Sequence, residues 1–377
     1  MAVVFTKTLS ETALIRSFID NEVYFSSDSP SPAFKCQITV DNDPSFEISP
    51  DKDGIFYFNF KRVFSKIIQD FFIDNQDIDI DSNDLTTLVK DYSQIYKLIN
   101  VTFQVSLSNG STETSSLSLN LIQSTSNFQD RKKQEIQALE TFGILNQVES
   151  GSTRTFRQAY FKGYPFDIQA YKNTPGNVTI TNKNNLAQVT LNLPNKINRI
   201  FFSDGEKDLI TEDILSLANG LNELEFDTTD LTTIFLEVFE TGCGKYLKWK
   251  NGEGGWEYWF FDELTEQVRD VRDKGYIAKE SGSLDNNNPI RNIGKESKDS
   301  IRIGSINVPS YYRRKLESLI DSPKVYLFTG EAYAADEPTN WLSVKVNNRS
   351  FAVSLPKKEI FDLSFELELP ERYNIML

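Results

Sequence analysis

The sequence predicts a mainly β protein of the α+β class, with tandem β-sandwich-like domains and a few short packed helices. Apolar and polar residues alternate over many short runs, which is the pattern of half-buried strands. Turn signals separate these runs, and few stretches have the spacing of an amphipathic helix. The chain has 377 residues, which is enough for two or three domains of ordinary size.

Residues 1–127 are predicted to form an N-terminal β-sandwich-like domain with one short helix. Alternation predicts strands over residues 34–40, 46–48, 55–60, 101–107 and 117–121. Asn109-Gly110, between the last two strands, is a strong hairpin signal because type I′ turns favour this dipeptide. Apolar residues from Val63 to Phe72 have helical spacing and predict a packed helix. The expected inward-facing residues of the first strand are Phe34, Cys36, Ile38 and Val40.

Two further domains are predicted, at residues 128–240 and 241–377. The second domain begins with a charged connecting helix over residues 129–142, followed by strands over residues 178–180, 189–193, 221–226 and 233–239. The C-terminal domain is of mixed β/α type, with an aromatic hairpin at residues 246–261 and strands near residues 276–306. Pro309 and Pro323 bracket a helix over residues 310–320. The last predicted strands cover residues 325–328, 342–346 and 363–369.

The amino-acid composition excludes several kinds of functional site. The chain has no histidine and only two cysteines. Without histidine it cannot hold a Ser-His-Asp or Cys-His nucleophile, and two cysteines cannot complete a zinc site of four N or S ligands. Carboxylates, lysine, tyrosine or a carboxylate-held metal are the options left for catalysis. We expect no catalytic residue, no cofactor and no metal.

The charge of the chain bears on its partners. Asp and Glu number 54 against 40 Lys and Arg, which gives a formal net charge of −14. Nucleic acid is not an expected partner, because phosphate binding needs clustered cations. No signal peptide is evident at the start and no apolar run is long enough to span a bilayer, so we expect cytoplasmic synthesis and no membrane partner. Cys36 and Cys243 are expected to be free thiols.

Two motifs resemble ligand-binding loops but depart from them at specific positions. The acidic stretch at residues 77–84 alternates carboxylates as calcium loops do, but Ser82 stands where a glycine is needed and Leu88 where a glutamate is needed. The Gly-rich stretch at residues 241–245 has the composition of a phosphate loop, but strand-like residues follow Lys245. We interpret the first as a solvated acidic strand or loop and the second as a tight turn between strands.

The hairpin at residues 246–261 is the densest aromatic segment and the first candidate for a functional surface. Such residues pack cores and subunit interfaces, and sugars also stack on their rings. Core or interface packing ranks first, carbohydrate contact second and catalysis third. The candidate aromatic residues are Tyr246, Trp249, Trp256, Tyr258 and Trp259, and the flanking carboxylates are Glu253, Glu257, Asp262 and Glu263.

A basic run starts the helix predicted at residues 310–320. It reads Tyr311-Tyr312-Arg313-Arg314-Lys315, and cations at a helix N-terminus oppose the helix dipole. We interpret Arg313 and Arg314 as contacts for an acidic neighbour, such as another subunit of this acidic protein. A solvated helix face is the alternative.

Three blocks of the sequence resemble tail proteins of phages that infect Bacteroidetes. In residues 246–261 a strand ending in Leu-Lys-Trp turns through Asn and paired Gly into an aromatic strand. Near the N-terminus, Phe58-Asn59-Phe60 runs into the predicted short helix. The closing strand at residues 363–369 is followed by Pro370-Glu371-Arg372-Tyr373.

Such tail proteins are similar to distal tail, or baseplate-hub, proteins. The resemblance implies a non-enzymatic structural protein that forms a ring, often of six copies, from a ring-forming β domain and added β-sandwich modules. The implied partners are further copies of this chain and other phage tail, hub or fibre proteins. The implied location is the tail of a virion, after synthesis in the host cytoplasm.

Two other classes of function stay open. A carbohydrate- or receptor-binding β-sandwich protein would use Trp249, Trp256, Tyr258 and Trp259 as its platform. A carboxylate-based glycoside hydrolase is less favoured, because spacing in the sequence does not give the distance between two carboxyl groups.

Overall fold

The computed structural model of the protein describes residues 2–41, 45–68, 79–81, 83–125, 141–147, 155–205, 214–228, 232–278, 290–331, 340–347 and 360–370. Over these residues the chain is mainly β, with five sheets and a few short helices, which confirms the predicted class. Short 3-10 segments lie at Leu85–Leu88, Ser93–Ile95 and Ser310–Tyr312.

The strands and α-helices are numbered here in chain order. The helices are α1 (Lys61–Ile67) and α2 (Arg313–Asp321). The strands are β1 (Val3–Lys7), β2 (Leu14–Arg16), β3 (Glu22–Ser27), β4 (Ala33–Val40), β5 (Phe46–Ile48), β6 (Phe56–Asn59), β7 (Val89–Asp91), β8 (Tyr96–Leu107), β9 (Thr112–Ile122), β10 (Phe142–Ile144), β11 (Thr155–Phe161), β12 (Pro165–Lys172), β13 (Gly176–Asn182), β14 (Gln188–Leu193), β15 (Ile197–Asp204), β16 (Gly220–Phe226), β17 (Thr232–Phe239), β18 (Lys245–Lys250), β19 (Trp256–Phe261), β20 (Glu263–Ala278), β21 (Ile290–Pro309), β22 (Val325–Phe328), β23 (Trp341–Val346) and β24 (Ile360–Glu368).

The first two sheets form an N-terminal sandwich. The sheet of order β1-β3-β6 packs on the sheet of order β2-β9-β8-β4-β5, and α1 packs on the same core through Phe64. Phe25 and Phe103 meet across the two sheets with ring centroids 5.0 Å apart. The hairpin predicted at Asn109-Gly110 is confirmed, because β8 and β9 pair on either side of it and Gly110 has a φ of +81°.

The prediction that Phe34 faces the core of this sandwich is wrong. Cys36, Ile38 and Val40 are fully buried, but Phe34 is 56% exposed. The pairing of β4 with β8 shifts register between Ala33 and Lys35. Such a bulge breaks the alternation of faces, and Phe34 therefore points to solvent.

The third and fourth sheets pack on each other in the middle of the chain. Their orders are β10-β12-β15-β7 and β11-β17-β16-β13-β14. Rings meet between them at Phe142 with Phe226 and at Tyr160 with Phe166. The connecting helix predicted over residues 129–142 lies largely outside the described residues. Its end is wrong, because Phe142 begins β10 and pairs there with Lys172 of β12.

The fifth sheet has seven strands in the order β19-β18-β22-β23-β24-β21-β20. Its first and last strands, β19 and β20, are consecutive in sequence and are separated only by Asp262. The helix predicted after Pro309 is confirmed as a 3-10 turn that continues into α2, which ends before Pro323. Leu316 and Leu319 bury the inner face of this helix.

Two hydrophobic cores hold these sheets. The smaller core lies inside the N-terminal sandwich, and the larger one includes buried residues from Leu14 to Leu367. The borders predicted at residues 127/128 and 240/241 stay predictions. The larger core nevertheless includes apolar residues from both sides of each border, and β7 pairs with β15 across the first.

Candidate functional site

The aromatic hairpin β18–β19 lies in the larger core. Its five candidate residues are between 0% and 5% exposed. The core interpretation is therefore the one that the structure supports. Other parts of the same chain cover these side chains, and a role for them in a subunit interface or as a glycan platform stays a prediction. These residues are Tyr246, Trp249, Trp256, Tyr258 and Trp259.

Four of these five rings place their polar atom on a partner inside the chain, whereas the buried indole nitrogen of Trp256 has no hydrogen-bond partner among the described residues. The Tyr246 hydroxyl donates to the Pro165 carbonyl over 2.9 Å. The indole nitrogens of Trp249 and Trp259 donate to the hydroxyls of Ser318, at 2.8 Å, and Ser305, at 3.1 Å. A buried Tyr hydroxyl or Trp N–H group usually has a hydrogen-bond partner, because leaving it without one costs free energy of folding. Burial raises the pKa of Tyr246 well above its ordinary value.

The hairpin also joins the sheets around it. The Tyr258 ring lies 5.5 Å from Phe166 of β12, and the Trp259 ring lies 5.4 Å from Phe161 of β11. Tyr312, just before α2, packs on Trp259 with ring centroids 4.9 Å apart. Two other sheets and the 3-10 turn before α2 therefore contact these two strands.

The turn between β18 and β19, at residues 251–255, makes the most specific contacts of the hairpin. The Leu145 carbonyl accepts from the Gly255 amide over 3.1 Å and from the Asn251 side chain over 2.9 Å. The Gly252 carbonyl accepts from the Thr125 amide over 2.7 Å. We call residues 251–255 and the groups that they contact the turn junction.

Two polar contacts connect the turn junction to the N-terminal sandwich. Arg16 of β2 forms a buried ion pair with Glu253, with nitrogen and oxygen 2.5 Å apart. Lys250, just before the turn, donates to the Gln123 side chain just after β9. The turn therefore links the sandwich to the larger core.

Two glycines allow this close approach. A Cβ on Gly255 would lie 2.3 Å from the Leu145 carbonyl oxygen, and a Cβ on Gly254 would lie 2.8 Å from that of Gln123. Gly254 also has a φ of +99°, where other residues are strained. The paired glycines that carry the sequence resemblance are thus required by backbone contacts of the turn.

A first group of buried charges lies beneath β19. The Arg199 guanidinium contacts the Asp167 carboxylate through nitrogen–oxygen distances of 2.6 and 3.1 Å. The Tyr258 hydroxyl donates to the same carboxylate. Asp167 is fully buried, and these donors compensate for the lost solvation of its charge.

A second group lies between β19 and α2. The Lys315 ammonium is 3.2 Å from the Glu257 carboxylate and donates to the Gln158 side chain over 2.7 Å. Glu257 also accepts from the Gln147 amide and from the Asn251 side chain. Burial lowers the pKa of Lys315, and the charge of Glu257 partly opposes this shift.

This arrangement favours a structural role for the acidic residues of the site. Asp167 and Glu257 have no exposed surface, and their oxygens face donors of the same chain. Acid or base catalysis by either residue would require the hairpin to open, because a catalytic group must come within hydrogen-bond distance of its substrate.

Arg313 and Arg314 have partners within the chain. Arg313 donates to Glu317, one helical turn later, over 2.9 Å, and Arg314 donates to the Gln147 side chain over 3.2 Å. Both arginines are half-buried. A further contact of these two residues with an acidic neighbour from another subunit stays a prediction.

The two motifs that resemble ligand-binding loops, at residues 77–84 and 241–245, have structural roles where they are described. Asp84 caps the 3-10 turn after it by accepting from the Thr86 amide, whereas Asp77, Ile78 and Ser82 lie outside the described residues. Residues 240–244 connect β17 to β18, which lie in different sheets, so this stretch is a connection between sheets and the predicted tight turn between strands is wrong. Over the described ranges, no cluster of three or more Cys, Asp or Glu could hold a metal ion.

Sequence reasoning missed Asp167, Arg199 and Gln169. Each lies in a strand that is otherwise almost wholly apolar or buried. A single charged residue inside such a run is the signal that points to a buried ion pair. The pairing of Asp167 with Arg199 cannot be inferred from one sequence, because the two residues lie on different strands, 32 positions apart.

Comparisons with known proteins identify no family. No family model matches the chain, and no curated protein matches it at a significant level. Among solved structures, the fibronectin(III)-like modules of CbhA from Clostridium thermocellum are 9% identical, covering 63% of this chain and 94% of theirs with a TM-score of 0.20. Titin-A168169 is 11% identical, covering 63% of this chain and all of its own with a TM-score of 0.26.

A 1.5-MDa bacterial ice-binding adhesin gives a similar result. It is 8% identical, covering 79% of this chain and 88% of its own, with a TM-score of 0.20. Likenesses this weak carry no argument about function. Among the helices that the structure describes, none has the length and apolarity that crossing a membrane requires.

Proposed function

We propose that this chain is a structural, ring-forming component of a phage tail, of the distal tail or baseplate-hub type, that links the tail to fibres or to the receptor-binding apparatus. The observation that carries the proposal is the block at residues 246–261. It resembles such tail proteins in sequence, and its glycines and tryptophans make the contacts that hold the sheets together.

The role of this block in the fold supports the proposal. Gly254 and Gly255 approach neighbouring carbonyls too closely for a side chain, and Trp249 and Trp259 fill the core with satisfied indole nitrogens. Few other residues could meet these steric and hydrogen-bonding demands. A resemblance at such positions is therefore evidence of a shared fold, since these positions are constrained by packing.

The architecture and charge are also compatible with a tail component. Sheets packed face to face, as in the N-terminal sandwich, match the β-sandwich modules that the resemblance implies. The buried carboxylates Asp167 and Glu257 are ion-paired within the chain, which favours a structural protein over an enzyme.

The proposal is tested by negative-stain electron microscopy of the purified full-length chain, with mass photometry of the same sample. We expect closed rings of uniform diameter, with a mass that is a whole multiple of 43.1 kDa. Particles that stay at the mass of one chain over the whole accessible concentration range would overturn the proposal.

The carbohydrate-binding alternative has lost the platform that suggested it. Trp249, Trp256 and Trp259 are buried, so a sugar could not stack on them without unfolding the hairpin. A glycan array probed with the intact protein tests this directly. Glycan binding by a preparation that forms no rings would favour the alternative over the tail proposal.

A further inference from the structure

The longest hairpin of the described chain extends beyond its sheet. β20 and β21 pair from Glu263 with Gly304 to Ala278 with Ile290. The neighbouring strand β24 pairs with β21 only as far as Ser300. Among the described residues, no third strand pairs with residues 269–278 and 290–299, and we call this two-stranded ribbon the arm.

The arm is exposed on both faces. Each of its side chains whose burial the structure describes is exposed or half-buried, and Val271 and Tyr276 are 52% and 68% exposed. Ten residues of strand extend about 30 Å at roughly 3.3 Å per residue. The arm thus carries apolar and aromatic side chains well beyond the edge of β24.

Cross-strand charge pairs explain how the arm forms in water. Isolated two-stranded hairpins are marginally stable, and opposite charges facing each other across the strands add to their stability. Arg269 donates to Asp299 over 2.7 Å. The other oppositely charged residues that face each other in register are Asp270 with Lys298, Arg272 with Glu296, and Asp273 with Lys295.

The charge of the arm differs in sign from that of the rest of the chain. The arm contains six Lys or Arg and four Asp or Glu, a net charge of +2, whereas the whole chain carries −14. The remainder of each chain therefore carries −16. Lys274 and Arg291 are the two arm cations that do not face an acid in register.

We propose that the arm binds the acidic body of a second copy of this chain, with Tyr276 and Lys274 among its contacts. Opposite charges favour this approach, whereas body-to-body contacts would bring like charges together. Nucleic acid is a poorer candidate, because the cations of the arm alternate with acids. The inference rests on the proposed function and names the contact between neighbours in the ring, a heterologous arm-to-body contact.

Photo-crosslinking tests where the arm lies in the assembly. A benzophenone amino acid replaces Tyr276 in the full-length chain, and in a control protein it replaces Leu98, which is 54% exposed on the N-terminal sandwich. We expect ultraviolet light to produce covalent dimers and higher multimers from the Tyr276 position, fewer of them at high salt, and few from Leu98. An absence of crosslinks between chains at position 276 overturns the inference.

A pair of matched variants measures the contribution of the arm to assembly. Lys274→Glu with Tyr276→Ser alters the arm. Lys52→Glu with Leu98→Ser makes the same change in charge on the N-terminal sandwich and also removes one exposed large apolar side chain. We expect the concentration at half-assembly in mass photometry to rise at least roughly tenfold for the arm variant, because truncating a buried aromatic contact typically costs that much affinity. The control should assemble like the wild type.

The possible results separate this inference from the proposed function. If the wild type forms rings and the arm variant assembles equally well, the arm inference is wrong and the ring proposal stands. If the wild type forms no multimers, both are wrong. If the wild type binds a nucleic-acid probe and the arm variant does not, the inference that the arm binds a second copy of this chain is also wrong.

Discussion

Cys36 and Cys243 differ in solvent access. Cys36 lies in the core of the N-terminal sandwich, where burial raises the pKa of its thiol to about 12, and Cys243 is exposed in the connection before β18. The thiolate is the reactive form of cysteine. We expect a thiol reagent to modify one cysteine per chain in the native protein and two in denaturant, with none modified in native Cys243→Ser.

Rapid modification of both thiols in the native protein would contradict the packing of the N-terminal sandwich. It would mean that the core around Cys36 opens to solvent. The Cys243→Ser variant shows which cysteine reacts, because any thiol reactivity that remains in its native state must come from Cys36.

Lys315 is a second residue whose role can be measured. Replacing it with Met leaves Glu257 buried without its cation, and removing one partner of a buried ion pair costs about 3–5 kcal/mol. The same Lys→Met change at Lys183, which pairs with Glu225 on the surface, should cost less than about 1 kcal/mol. Urea unfolding of both variants gives the comparison.

Restoring neutrality at the buried site provides a further check. The double variant Glu257→Gln with Lys315→Met should recover part of the lost free energy of unfolding, because the amide of Gln carries no charge. Equal stabilities of Lys315→Met and Lys183→Met would show that the Glu257 carboxylate is not buried as described.

At the scale of elements, the turn junction depends on Gly255. An added Cβ would lie 2.3 Å from the Leu145 carbonyl oxygen, so Gly255→Ala must displace the backbone. Overpacking of this kind costs about 1–3 kcal/mol. Gly242→Ala is the control, since no atom lies within 4 Å of its added Cβ, and it should change the free energy of unfolding by less than about 0.5 kcal/mol. Differential scanning calorimetry of the two variants measures the difference.

Many strands were predictable from the sequence, but β11, β12 and β15, which surround the candidate site, were not, and neither were the strand partners. Alternation and turn residues are local signals, so the sequence predicts the position of the β8–β9 turn and of α2, whereas the two strands of that hairpin extend beyond the predicted residues 101–107 and 117–121. The bulge that exposes Phe34 is a property of the pairing between β4 and β8. It has no signature in the residues of β4 alone.

The aromatic hairpin shows the same limit at the candidate site. The sequence correctly marks residues 246–261 as unusual, because aromatic density and paired glycines are visible in one segment. It does not reveal whether the rings face solvent or core, since that depends on β11, β12 and α2, which pack against the hairpin from elsewhere in the chain. Burial by distant elements is a tertiary property.

At the scale of the whole molecule, the turn junction connects the N-terminal sandwich to the larger core. Arg16 and Gln123 reach the turn from one side, and Leu145 reaches it from the other. These polar contacts are made only when both cores are folded. The central claim is therefore that residues 246–261 join the two cores into one cooperative unit and do not form a binding surface.

Urea unfolding of Cys243→Ser, followed by two probes in one titration, tests this claim most directly. Trp emission reports the larger core, because all four tryptophans lie there, and labelling of Cys36 reports the N-terminal sandwich. A single cooperative unit predicts that the two probes give the same midpoint. Labelling of Cys36 at a urea concentration where the Trp emission is still native would contradict the account.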